Sequence, residues 1–332
     1  MRNSKIAGVG HYVPERVVTN KDLEKIMDTS DEWIRERTGI VERRYFTEGT
    51  DTTANMGANA ARMALKNAGL EATNLDMIVF ATLSPDYVFP GSGVLLQREL
   101  GLKEIPALDV RNQCSGFIYA LSVADQFIKT GMYNNVLVVG SEIHSSGLDF
   151  STRGRNVSVI FGDGAGAVVL TPSESTDKGI LSTHLHADGE FAEELATIDP
   201  GSNKKDRLTH QMIDEGTIFP YMNGNMVFKH AVTRFPEAIE EALNKNGYKA
   251  SDIDMLIPHQ ANLRITSYIQ QKMGLPADKV MSNIHKYGNT TAASVPIALS
   301  EAVQEGRIKE GDLVCMAAFG SGFTWASALV RW

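Results

Sequence analysis

Two stretches of the chain echo each other at a spacing of about 180 residues, too long for a solenoid repeat but long enough for two related α/β units. Leu75-Asp76-Met77-Ile78-Val79-Phe80 is answered by Ile253-Asp254-Met255-Leu256-Ile257-Pro258. The helical pattern LLQRELGLKEIPALDV (95–110) is answered by YIQQKMGLPADKVMSN (268–283), each running to a Gly-Leu pair and then a short strand. The first strand leads to Gln113-Cys114-Ser115-Gly116, the second to Gly288-Asn289-Thr290-Thr291, and an apolar helix follows each. An apolar strand and a glycine close both units, Val136–Gly140 and Leu313–Gly320. This echo predicts two homologous halves, residues 1–175 and 176–332, meeting in the polar segment Thr171–Gly179. Cys114 and Asn289 then fall opposite each other at corresponding strand-to-helix turns.

The local patterns agree with that division. Apolar runs at 77–83, 136–139 and 313–319 have the length of buried strands. Ala58–Ala68 and Phe117–Ile128 read as helices; in the second, Phe117, Ala120, Leu121, Ala124, Phe127 and Ile128 recur at helical spacing. Alternating strands and helices imply sheets layered with helices, an α/β fold.

Composition removes several function classes. Lys+Arg number 32 and Asp+Glu 40, a formal net charge of −8, which argues against non-specific binding to nucleic acid or an acidic membrane. No apolar run approaches a membrane span, and the N-terminus lacks a signal-peptide core. Two cysteines, with no CxxC pair, form no disulfide framework and point to a reducing cytoplasm.

Cys114 opens a helix after the strand Ala107–Val110. Backbone N–H groups and the helix dipole meet there and should lower its pKa, giving a nucleophile for thioesters with an oxyanion donor in its own N–H. A small buried core cysteine is the competing structural reading; for Cys315, inside the strand run Leu313–Met316, it is the expected one. His259, in Pro258-His259-Gln260-Ala261-Asn262, follows a buried strand, where open α/β sheets present their sites; alone it could equally be structural. Asn289 alone could be a cap or turn residue, yet the echo brings it, His259 and Cys114 toward one end of two related sheets. Trp33 and Arg37 share a face of a short helix that Thr29-x-x-Glu32 should cap and Gly39 should end. An indole beside a guanidinium suits a purine and its phosphates, or simply braces a surface. Gly162-Asp163-Gly164-Ala165-Gly166 precedes a strand-like run, so it reads as a turn between strands and not a dinucleotide loop. His184 and His186, with Asp188 and Glu190, lack the further ligand that a zinc site needs.

Taken together, DTSDEWIRERTGI (28–40), Cys114 before Ser-Gly-Phe, FGDGAGAVV (161–169), THLHADG (183–189), PHQANLR (258–264), GNTTAASVP (288–296) and residues 319–331 closely resemble β-ketoacyl-acyl-carrier-protein synthase III. The resemblance spans essentially the whole chain. It implies a thiolase-like fold of two similar halves in five layers, α-β-α-β-α, and a homodimer. It implies that Cys114 accepts an acyl group from acyl-CoA, and that malonyl-acyl-carrier protein then decarboxylates and condenses with it, initiating fatty-acid synthesis without a metal or redox cofactor. His259 and Asn289 would stabilise the enolate, and the N–H groups of Cys114 and Ser321 the tetrahedral intermediate. Thr29, Trp33, Arg37 and Arg153 would bind the CoA nucleotide. Asn262 would line the pantetheine tunnel, and Phe89 would reach the second subunit's acyl pocket. Lys229, Arg264 and Lys272 would dock the acidic carrier protein. Asn112-Gln113 before the nucleophile, Ser321 in place of a common glycine and a longer 197–221 segment depart from the family pattern and leave the primer open. A condensing enzyme of specialised metabolism, a non-catalytic partner subunit and a Cys-dependent thioesterase are the alternatives.

Overall fold

The computed structural model describes residues 2–332. The first sheet contains β1 (Ser4–Tyr12), β2 (Met77–Ala81), β3 (Ala107–Val110), β4 (Val136–Glu142) and β5 (Gly164–Pro172), in the order β1-β5-β4-β2-β3. The second contains β6 (Gly179–Ala187), β7 (Met255–Pro258), β8 (Leu313–Gly320) and β9 (Thr324–Arg331), in the order β6-β9-β8-β7. Strand for strand, the two sheets match. The pair β2/β4 is parallel with Met77 beside Val136, and β7/β8 is parallel with Met255 beside Val314. Antiparallel β5 and β1 then answer β9 and β6. One expected strand is nearly lost: the partner of β3, near residue 280, is a single bridge from Val280 to Leu256. Val280 there closes a tight turn onto Ala277, so pairing cannot extend backward.

Seven longer helices cover the sheets: α1 (Asp31–Thr38), α2 (Thr53–Ala68), α3 (Ser92–Glu99), α4 (Gly116–Lys129), α5 (Gly224–Lys245), α6 (Leu263–Met273) and α7 (Ser294–Gln304). The period-2 alternation of each strand assigns the layers. Met77, Val79 and Ala81 point inward to α4 and α7, with Ile257, Val314 and Met316 of the second sheet in the same cluster. Ile78 and Phe80 point outward to Met56, Ala60 and Ala64 of α2. Leu256, Cys315 and Ala317 point outward to Phe235 and Ile239 of α5 and Ile269 of α6. The result is the expected five layers, with α4 and α7 as the shared middle. Cys315 is core, as its strand position implies.

The glycine motif 162–166 packs against this middle layer. Gly164 and Gly166 lie within β5, so the motif is not a turn. A Cβ on Gly166 would sit 2.7 Å from backbone atoms of Pro296 and Ile297. Absence of a side chain there lets α7 lie directly on the strand. Asp163 between them accepts backbone hydrogen bonds from Phe46 (2.8 Å), His144 (2.7 Å) and Ser145 (3.0 Å).

Candidate active site

Both apolar helices of the middle layer are entered through a short 3₁₀ turn, Gln113–Ser115 before α4 and Thr291–Ala293 before α7. The first residue of each turn has a left-handed backbone, φ 42° at Gln113 and 49° at Thr291. Neither is glycine, and Thr291 is β-branched, so each conformation costs about 1–3 kcal/mol. The turns pack on each other. Their alignment corrects the sequence reading in detail: the residue opposite Cys114 is Ala292, and Asn289 lies three positions earlier. Asn289 therefore precedes the second turn, separated from it by Thr290, and does not sit within it as Cys114 does in the first.

Cys114 is buried, 6% exposed, against the last residue of β8. A Cβ on Gly320 would lie 2.5 Å from the Cβ of Cys114 and 2.9 Å from its Sγ, so only glycine fits there. The N–H groups of Ser321 and Cys114 and the hydroxyl of Thr291 each favour the ionised thiol. These donors do not make a resting thiolate. Burial, helped by the nearby Glu142 carboxylate, pushes the thiol up to about 12. Dehydration overrides the helix terminus, contrary to the sequence expectation. Glu142 is itself pushed up to about 7 by burial, although Leu83 N–H, Ser84 N–H and the hydroxyls of Thr82 and Ser84 all donate to it.

His259 follows β7, and its backbone N–H donates to Ala317 O at 2.8 Å. Its Nδ1 is 2.5 Å from Ser294 Oγ at the start of α7. Its Nε2 is buried without an intramolecular partner among the described residues. Burial pushes its pKa down to about 3, so the ring is neutral at physiological pH. In the tautomer in which Ser294 donates to Nδ1, Nε2 carries the proton and is a hydrogen-bond donor in search of an acceptor. Asn289 is held by parallel pairing with Phe161: its N–H donates to Ile160 O (2.9 Å) and its carbonyl accepts from Gly162 N–H (3.0 Å). Its Oδ1 accepts from Thr291 N–H at 2.8 Å, which leaves Nδ2 as its donor end. Cys114, His259, Asn289 and Gly320 line the inner part of one cavity of about 570 Å³. Trp33, Arg37, Asn262 and Arg264 also line it, with the apolar walls Phe161, Phe228 and Phe319. A thiol and two neutral donors at the end of a cavity, with backbone N–H groups on the thiol, suit acyl transfer and enolate stabilisation.

The family comparisons agree with this geometry. Profiles for 3-oxoacyl-[acyl-carrier-protein] synthase III and for its C-terminal part match residues 108–189 and 243–332. A Methylococcus capsulatus protein called beta-ketoacyl-[acyl-carrier-protein] synthase III is 46% identical over 331 residues, covering 100% of this chain and 99% of the relative. The chain belongs to the β-ketoacyl-acyl-carrier-protein synthase III family. An Escherichia coli protein of the same name is 49% identical over 328 residues, 99% of each chain. The solved structure of 3-oxoacyl-[acyl-carrier-protein] synthase III from Aquifex aeolicus VF5 superposes with a TM-score of 0.90 at 46% identity, over 99% of this chain and 100% of that one. A priming beta-ketosynthase of the R1128 polyketide pathway reaches 0.89 at 34% identity, over 99% and 96%.

At the cavity mouth the structure redistributes the expected roles. Ser30, not Thr29, caps α1, because its side chain accepts from Trp33 N–H at 3.1 Å. Thr29 Oγ1 is left buried without a partner among the described residues. Gly39 ends the helix with φ 78°, as expected. Arg37 lies 4.8 Å from the Trp33 ring centroid. The second cation on that indole is Arg155, at 5.2 Å, a residue that sequence spacing did not single out. Arg153 is instead committed to Asp149 (2.6 Å), Asp214 O (2.9 Å) and the Phe219 ring (5.9 Å), so it anchors the 197–221 segment. Asn262 lines the cavity, but its carboxamide is spent on both ends, accepting from Arg264 N–H and donating to Arg37 O, each at 2.9 Å. Lys229, Arg264 and Lys272 are exposed on α5 and α6, and Arg264 stands at the mouth, 5.7 Å from the Phe228 ring. Phe89 is 82% exposed, beside exposed Tyr87 and Val88, and does not line the cavity that holds Cys114. His184 and His186 both face Glu241, at 3.2 and 2.6 Å, and no cluster of three metal-ligating side chains occurs among the described residues. No helix there is long and apolar enough to cross a membrane.

Proposed function

We propose that the protein condenses an acyl-CoA primer with malonyl-acyl-carrier protein, the opening step of fatty-acid synthesis. One observation carries the reading: Cys114, His259 and Asn289, drawn from both halves, line one cavity, with Gly320 packed directly on the thiol. Cys114 Sγ attacks the acyl thioester, the N–H groups of Cys114 and Ser321 hold the oxyanion, and CoA leaves as its thiol. The malonyl thioester carbonyl then accepts from His259 Nε2–H and Asn289 Nδ2–H. Loss of CO₂ leaves an enolate on that carbonyl, and its carbon attacks the acyl-Cys114 thioester. A neutral imidazole suits this role because it stabilises developing negative charge without first having to lose a proton. Decarboxylation supplies the carbanion, so the scheme uses no metal or redox cofactor.

Trp33, Arg37 and Arg155 suit the nucleotide of CoA, with Thr29 beside it, while Arg153, held by Asp149 and Asp214 O, supports the 197–221 segment. Lys229 and Arg264, with Lys272 further along α6, suit an acidic carrier protein despite the chain's net charge of −8. The exposed Tyr87-Val88-Phe89 tip supports a homodimer in which Phe89 meets the second subunit's acyl pocket. Halves 1–175 and 176–332 are the units that supply the nucleophile and the donors, and two buried thiols suit a cytoplasmic setting. Relatives at 46–49% identity carry the synthase III name, which favours this reading over specialised metabolism. The test is intact-protein mass after a graded panel of acyl-CoAs, then a chase with malonyl-acyl-carrier protein. The expected result is an adduct on Cys114 that disappears as β-ketoacyl-carrier protein forms. An adduct that ignores the chase would overturn the condensation step.

A further inference from the structure

His144 was not among the residues that sequence reasoning selected, yet it hydrogen-bonds Thr291, which opens the turn packed against that of the nucleophile. It follows β4, and its backbone N–H is pinned by Asp163 at 2.7 Å. Its ring packs on Phe161, with centroids 4.7 Å apart. Its Nε2 lies 2.6 Å from Thr291 Oγ1. Thr291 is the β-branched residue held at φ 49°, and its N–H is tied to Asn289 Oδ1. A strained backbone fixed from two sides points to a side chain whose direction matters. The turn that Thr291 opens packs against the turn that holds Cys114, and the Thr291 hydroxyl favours the ionised thiol.

We propose that His144 is a positioning residue for acyl transfer: its Nε2–H donates to Thr291 Oγ1, which directs the threonine hydroxyl proton onto Cys114 Sγ. A hydroxyl has one proton and two acceptor sites. Donation from the imidazole occupies an acceptor site and leaves the O–H to serve the sulfur. The sulfur gains a donor as it becomes thiolate, adding to the N–H groups of Cys114 and Ser321 and opposing the neighbouring Glu142 carboxylate. His259 faces the same site from the second half, but its Nδ1 is taken by Ser294 and it serves the other half-reaction. The inference rests on Cys114 being the acyl acceptor.

The test compares His144→Leu, His144→Gln, Thr291→Val and Thr291→Ser in the full-length protein. Two rates are read at one fixed, mildly alkaline pH: iodoacetamide alkylation of Cys114, located by peptide mass, and acylation from acyl-CoA. His144→Leu and Thr291→Val should each slow both rates roughly three- to tenfold, the size of one neutral hydrogen bond. Gln at 144 and Ser at 291 should restore them, since each keeps a polar atom near the lost one. The His144→Leu/Thr291→Val double variant should be no slower than Thr291→Val alone. Wild-type rates in His144→Leu, or a double variant that multiplies the two losses, would overturn the proposal. If His144→Leu does not fold, His144→Asn against His144→Gln carries the same comparison, because Asn stops short of Thr291. Altered alkylation in a protein that never takes an acyl group would instead sink the proposed function and leave the positioning intact.

Discussion

The two strand-to-helix turns at the centre of the molecule have the same backbone and opposite contents. Gln113–Ser115 holds a thiol, while Thr291–Ala293 holds a methyl group in the matching place, Ala292. The ionisable neighbours are divided between them, Glu142 beside the thiol of the first turn and His144 on Thr291 of the second. The donors that complete the site come from the second half, but from positions off the equivalent one: Asn289 before the turn, Ser294 after it behind His259, and Ser321 at the end of β8. A duplicated fold therefore supplies two converging turns, and the chemistry comes from where the halves differ. Cys114→Ala should break that asymmetry outright. Acylation, read as the acyl adduct by intact mass, should fall below detection, and Ala292→Cys in that background should not restore it, because Gly320 and the Ser321 N–H face only the first turn. Recovery of an adduct at position 292 would show that the turns are interchangeable.

The second-half donors separate the two half-reactions. His259→Ala and Asn289→Ala should still form the acyl-Cys114 adduct, since neither serves the first thioester. Condensation should drop about 10²–10³-fold, the usual consequence of removing one donor to a developing oxyanion. Single-turnover release of β-ketoacyl-carrier protein from pre-acylated enzyme is the measurement. Near-normal release in either variant would return that residue to a structural role.

Most of this comparison was legible in the sequence. The echo around Leu75 and Ile253 located both sheets, and the apolar runs located the middle helices, because strand alternation and helical spacing are local. The order of the strands follows from the duplication. Three things escaped, each for a non-local reason. The register of Asn289 against Cys114 depends on two threonines whose backbone geometry no period encodes. The thiol's raised pKa depends on burial by the opposite half, which the helix-terminus argument omits. Arg155 stands beside Trp33, and Arg153 is held by Asp149 and the 197–221 segment, contacts between stretches that sequence spacing does not relate. Gly320 and Ser294, both in contact with catalytic candidates, look like ordinary strand and helix residues until the halves are assembled.

Glu142 offers a test of the ionisable surroundings of the first turn. Its folded pKa of about 7 lies above the ordinary value of a glutamate. The folded state thus holds a proton that the unfolded state has already lost. Its contribution to stability is complete below the ordinary glutamate pKa and disappears as pH rises through about 7. Glu142→Gln, which is neutral throughout, should remove this slope. Between pH 5 and 8 the wild type should lose on the order of 2–3 kcal/mol relative to the variant, measured as the difference in urea midpoints. Parallel curves would mean that the carboxyl is ionised over the whole range. His144 and His259 act in the opposite sense in both proteins. Their folded pKa values of about 4 and about 3 lie below the ordinary histidine value, so their contribution is present above about 6.5 and is lost on acidification. That common term cancels in the comparison.

The smallest expected effect lies at the cavity mouth, where the halves meet solvent. Trp33 is flanked by Arg37 and Arg155, a half-exposed arrangement whose cation–π energy is about 0.5–1 kcal/mol. Trp33→Ala and Arg155→Ala should therefore raise KM for acyl-CoA only two- to fivefold and leave kcat unchanged, because uniform binding is lost and no transition-state contact is touched. The same variants assayed with an acyl-pantetheine thioester, which lacks the nucleotide, should match the wild type. Arg153→Ala should behave differently. Its guanidinium holds Asp149 and Asp214 O, so removing it loosens the 197–221 segment and should carry its penalty over to the short thioester. A Trp33 penalty that persists without the nucleotide would place the indole elsewhere than on the adenine end. An Arg153 penalty that vanishes without it would return Arg153 to the nucleotide, and would show that the capture seen here yields when CoA binds.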